Sequence, residues 1–164
     1  MKIVTIDWRP ERALFEARGG HPGQIVTINA PHDGAATGFS ASELLLAGVG
    51  SCSAWDVVEI LRKQRQRVST IEVRVEGDQA TEPPWAYERV RVQYAITGHH
   101  LNVGKVRKAV ELSERRYCAV IATIRGVAQV TCHVEVREAD TVGGADPSAA
   151  PIYDADTAVS DASA

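Results

Sequence analysis

The chain has 164 residues, 45% hydrophobic and 24% charged, proportions that suit one soluble globular domain. Its formal net charge of −3 is unevenly spread, because Glu138, Asp140, Asp146, Asp154, Asp156 and Asp161 fall in a final stretch without Lys or Arg. Without those six acids the remainder carries about +3, too weak a bias for nucleic-acid binding.

In chain order, the opening MKIVTIDWRPER lacks the basic, apolar and small-residue succession of a secretory leader, so a cytoplasmic setting is expected. The runs KIVTIDW, ALFEA and QIVTINA, separated by RPER and RGGHPG, predict a three-stranded meander. A helix is expected from near Ser40 to about Arg65, where SASE sets a Ser N-cap three residues before Glu43, the capping-box spacing. Between Leu44 and Leu61 only Asp56 and Glu59 are charged. Such a helix is apolar around most of its circumference and must be covered on several sides. It is long enough to cross a bilayer, but two interior acids, two glycines and the amphipathic strands around it favour a central helix in a soluble fold, with no membrane partner. Gly48 and Gly50 would allow close backbone approach.

Two strands should follow, Ile71, Val73 and Val75 alternating with Glu72, Arg74 and Glu76, and Val90, Val92, Tyr94 and Ile96 alternating with Arg89, Arg91, Gln93 and Thr97. Each buries one face of an antiparallel sheet. A second helix is expected over about Asn102 to Arg116, with Val103, Val106 and Val110 as its apolar stripe, and AVIATI after Cys118 extends it by a short helical piece. The last strand runs from Ala128 to Arg137 with Cys132 on its apolar face, a packing position. These elements make an α+β domain over residues 1–137. From Glu138 to the end, the sequence is rich in Ala, Asp, Ser, Gly and Pro and is read as an acidic, flexible tail, with Ile152 and Tyr153 as the two residues that would dock if it docked at all.

Three cysteines, Cys52, Cys118 and Cys132, are too few for a disulfide scaffold, and no CxxC pair suggests a zinc or thioredoxin-type site. SASELLLAGVGSCSAWDVVEIL and LSERRYCAVIATIRG, which carry Cys52 and Cys118, resemble the two cysteine-bearing helices of the OsmC/Ohr-like family of thiol peroxidases. That resemblance implies an OsmC-like fold, in which antiparallel sheets wrap two central helices in an intertwined homodimer with active sites at the subunit interface. It also implies peroxidatic chemistry at Cys52, resolution by Cys118, organic hydroperoxides as substrates, and a dithiol or lipoyl-type reductant, with no cofactor or metal.

The chemistry requires a thiolate to attack the peroxide oxygen, then a second thiol to trap the sulfenic acid before it is oxidised further. Hydroperoxide-resistance members carry a Glu ten positions before the first cysteine; here Ser42 holds that place and Glu43 follows, a shift of roughly 100° around a helix. Glu43 therefore has a catalytic reading, as partner of an active-site arginine, and a structural one, as the capping-box acid. For the arginine, Arg9, Arg12 and Arg18 are candidates, though each taken singly reads first as a solvated strand or turn charge, and Arg115 is left unassigned. Asp56, one turn after Cys52, would oppose thiolate formation unless a cation intervenes, or would pair with a buried basic group. His99 and His100 fit an exposed loop better than a metal site, and Trp8, Trp55 and Trp85 are core or interface residues before they are pocket walls. Two other functions stand beside the peroxidase: a noncatalytic ligand-binding or structural dimer of the same fold, and a redox sensor, for which no output module is present.

Overall fold

A computed structural model describes residues 1–29 and 38–139. The anticipated meander is formed by β1 (Thr5–Arg9), β2 (Leu14–Arg18) and β3 (Ile25–Ile28), antiparallel neighbours in that order. Register and alternation sort its side chains cleanly. Ile6, Trp8, Phe15, Ala17, Val26 and Ile28 share one face, and Asp7, Arg9, Glu16 and Arg18 form an ion-pair network on the other. Trp8 and Phe15 meet with ring centroids 4.8 Å apart.

The first helix, α1 (Ala41–Lys63), begins as its sequence demands. Ser40 Oγ accepts from Glu43 N–H at 3.2 Å and Glu43 Oε2 accepts from Ser40 N–H at 2.7 Å, which closes the capping box. By length and composition α1 could cross a membrane, but it packs across one face of a second sheet. Gly50 makes that approach possible, since a Cβ there would lie 2.9 Å from Val75 Cγ2. Gly48 meets only an ordinary contact, with Val120 at 4.0 Å, so of the two glycines only Gly50 is required by the packing.

The second sheet contains β4 (Arg67–Gln79), β5 (Tyr87–His99) and β6 (Gln129–Glu138), in the order β4-β5-β6. β4 and β5 are antiparallel, as the alternation implied, whereas β6 lies parallel to β5. The sheet is thus mixed, because the chain between β5 and β6 is a helical crossover rather than a hairpin. That crossover comprises α2 (Val103–Leu112), a π-turn (Ser113–Tyr117) and α3 (Ala119–Ile124). Asn102 caps α2 by accepting from Lys105 N–H at 3.0 Å.

The core sits between this sheet and the helices, where Leu61, Val90, Val92, Ile96, Val106 and Ile121 are wholly excluded from solvent. Each such side chain stabilises the fold by roughly 1.5–3 kcal/mol relative to exposure. Glu138, assigned from sequence to the tail, is the last residue of β6, and its carboxylate accepts from His100 N–H at 3.0 Å. The rest of the tail, including Ile152 and Tyr153, lies outside the described residues apart from Ala139.

Candidate functional site: two thiols between the first helix and the crossover

Cys52 lies midway along α1, partly buried against the core, and Cys118 stands where the π-turn gives way to α3, almost wholly buried. The two are 66 positions apart in sequence, yet Cys52 packs on the core that holds Cys118 and their side chains interact, because α1 packs against α2, the π-turn and α3. All three cysteines carry free thiols.

The surroundings of Cys118 are specific. Its N–H donates to Ser113 O at 2.9 Å, closing the π-turn, and its Sγ accepts from Ile121 N–H at 3.4 Å as the cap of α3. Burial pushes the Cys118 thiol up to about 11, the Ile121 N–H works in the opposite direction, and interaction with the neighbouring Cys52 thiol raises it further. At neutral pH Cys118 is therefore a protonated thiol held beside Cys52.

Cys132 occupies the inner face of β6 and packs on the core, the role its alternation indicated. Burial, reinforced by Glu114 and Cys118, pushes it up to about 12. The buried Tyr94 hydroxyl lies near Ser53 and Cys132 without a hydrogen bond of good geometry, and its own pKa is raised chiefly by burial.

Asp56 has a partner of another kind than the sequence suggested. Its Oδ2 accepts from Ser113 Oγ at 3.1 Å, so its partner is a buried hydroxyl rather than a buried base. Burial nevertheless raises its pKa, with the Ser113 bond pulling the other way. Ser113 was missed in the sequence because a lone Ser near the end of a helix carries no pattern; the signal is the π-turn, which only coordinates reveal.

Glu43 is occupied by the capping box, which lowers its pKa through the Ser40 N–H and hydroxyl. It also lines a groove of about 450 Å³ between α1 and β4, with Leu46, Gly50, Ile71 and Val73. Within the chain the three candidate arginines are engaged elsewhere: Arg9 and Arg12 pair with Glu16, and Arg18 with Glu16 and Asp7. A second cavity, of about 500 Å³, is lined by Trp55, Asp56, Ile60, Leu112 and Tyr117. Trp55 is thus a pocket wall, whereas Trp8 lies on the first sheet and Trp85 on the turn after β4, and His99 and His100 end β5 and enter the next turn.

The molecule is an α+β domain with one cysteine on its first helix and a second within the helical crossover. The family described as OsmC-like protein matches residues 32–140, and the chain belongs to it. Protein YhfA of Escherichia coli strain K12 is 34% identical over 123 residues, covering 75% of this chain and 88% of that protein. A hypothetical protein from Aquifex aeolicus VF5 superposes with a TM-score of 0.75 at 28% identity, covering 85% of this chain and 98% of the other. An organic hydroperoxide resistance protein OsmC from Legionella pneumophila shares the fold, with a TM-score of 0.64 at 17% identity and coverage of 83% and 97%.

Proposed function

We propose that this protein is a thiol-dependent peroxidase for organic hydroperoxides, cycling between a Cys52–Cys118 dithiol and disulfide. The observation that carries the reading is the meeting of the Cys52 and Cys118 thiols across α1 and the crossover. A family that includes a protein named for organic hydroperoxide resistance supports the substrate class.

The Cys52 thiolate attacks the outer oxygen of ROOH, the O–O bond breaks, and the departing alkoxide takes a proton to leave as ROH, with Cys52 as sulfenic acid. The Cys118 sulfur then attacks the Cys52 sulfur; the hydroxyl leaves with the Cys118 proton as water and the disulfide forms. An external dithiol, of lipoyl type or another, supplies two electrons and two protons to restore both thiols while becoming a disulfide itself. The order follows from environment: Cys52 is the more exposed sulfur, and Cys118 keeps its proton until the second step.

The working unit is a homodimer. The first sheet presents Ile6, Trp8, Phe15 and Val26 to solvent, each more than 40% exposed, while the exposed Phe39 lines the α1–β4 groove. A contiguous apolar sheet face calls for a cover, and the groove on a second copy offers one of matching chemistry. A reducing, cytoplasmic setting keeps the resting thiols reduced.

Stopped-flow consumption of cumene hydroperoxide with a dithiol tests the reading. Turnover should vanish in Cys52→Ser, and wild-type turnover no faster than that variant would end it. The alternative, a noncatalytic ligand-binding or structural dimer, is favoured by Glu43 being held in its capping box. It predicts a dimer with a retained apolar ligand and no peroxide consumption, visible by native mass spectrometry.

A further inference from the structure

Ser113 and Ser53 are the two wholly buried polar side chains among the described residues, and Ser113 opens the π-turn that ends at Cys118. Its hydroxyl lies 3.0 Å from Ser53 O and 3.1 Å from Asp56 Oδ2, and having one proton it donates to one of these acceptors at a time. Its main-chain oxygen accepts from Cys118 N–H at 2.9 Å. One residue therefore grips α1 with its side chain and Cys118 with its backbone. The points gripped on α1 are significant, for Ser53 follows Cys52 directly and Asp56 lies one turn beyond it.

We propose that Ser113 is a positioning residue for disulfide formation, holding Cys118 opposite Cys52 with Asp56 as its anchor on α1. The inference rests on the reading that Cys52 is oxidised first and Cys118 resolves it. A π-turn is a rare backbone form that tertiary contacts must sustain. Released from α1, the five-residue segment Ser113–Tyr117 reverts to α-helical winding or frays, and a change of one residue in winding swings the following side chain by roughly 100°. Cys52 oxidation does not need Cys118, whereas closure needs both sulfurs aligned. The network thus acts on the second step, and its loss lengthens the life of the sulfenic acid.

The test is a peroxide pulse on full-length protein, quenched over time, with mass spectrometry counting dimedone-trapped Cys52 sulfenic acid, the Cys52–Cys118 disulfide and Cys52 sulfinic acid. Ser113→Ala and Asp56→Ala should close the disulfide ~10-fold or more slowly relative to sulfenic acid formation, the effect of a small misalignment of reacting groups. Both should also accumulate sulfinic acid. Asp56→Asn, which keeps an acceptor for the Ser113 hydroxyl, should recover most of the closure rate that Asp56→Ala loses. Asp56 is only partly buried, so the Asp56 pair supplies the comparison should Ser113→Ala fail to fold. Closure at the wild-type rate in both Ala variants overturns the proposal, as does an Asp56→Asn protein as slow as Asp56→Ala. A wild-type protein that never forms the disulfide removes the peroxidase reading itself, a distinct result.

Discussion

The two sheets of this domain face opposite problems. In the second sheet Val90, Val92, Tyr94 and Ile96 are buried beneath α1 and α2, so β5 has its apolar partners within the chain. In the first, Trp8 is 49% exposed and Phe15 44%, on a face whose alternation is just as regular. Patterning of equal quality has been completed in one place and left open in the other. The lesson is that alternation reports which face is to be covered, but not whether the cover is cis or trans.

The sharpest way to test this contrast is to remove a side chain from each sheet. Ile96→Ala should lower stability by about 2–5 kcal/mol, read as a fall in the urea midpoint, because a wholly buried side chain leaves a cavity. Trp8→Asp should act on association instead. The apparent mass by light scattering should move from dimer to monomer, with dimer affinity weakened about 30-fold or more, as expected for losing an aromatic anchor worth about 2 kcal/mol or more. If Trp8→Asp changes neither mass nor affinity, the open face is not the dimer surface.

Smaller effects probe the junction between the regions. Ser40→Ala removes the cap of α1 and should cost about 1 kcal/mol in the same urea experiment. Asp56→Asn should depend on pH. Burial raises the folded-state pKa of Asp56, so its charged form is disfavoured on folding. That penalty is complete above the raised pKa and disappears as pH falls into the ordinary carboxylate range. The gain in melting temperature from Asp56→Asn should therefore be larger at pH 7 than at about pH 4, and an equal gain at both would contradict the assignment. Smallest of all, Arg89→Ala on β5 should have an effect only where Asp78 is ionised. Arg91 and Arg89 hold Asp78 at about 2, so the stability they give is present above the ordinary Asp value and is lost as pH falls toward 2. Removing Arg89 should therefore lower the urea midpoint slightly at neutral pH, and the difference from wild type should disappear as pH approaches 2.

Much of the architecture was legible in the residues. SASE announced the start of α1, and the valine alternations announced β4, β5 and β6. The parallel placement of β6 was not, because a side-chain period of two is the same for either direction and only the crossover decides. In the site, Cys52 and Cys118 were found through their flanking motifs, and Cys132 was set aside on its strand face. Asp56 was noticed but given the wrong kinds of partner, since helical spacing indicates what shares its own face and nothing about the hydroxyl arriving from another element. Glu43 illustrates the reverse, for its structural bond was local enough to be read and any trans partner was not.

The direction of β6 also sets a timetable for synthesis. As the last strand among the described residues, it must be translated through Glu138 before the flank of β5 can be paired, and with it arrives the Val130 and Cys132 wall beside Cys118. A nascent chain halted ahead of Gln129 holds the Cys52 and Cys118 sulfurs under an unfinished roof. Cys118 should then be alkylated freely on arrested ribosomes and become shielded once the strand has cleared the exit tunnel. Reactivity unaffected by chain length would mean that α1 and the crossover enclose the pair by themselves.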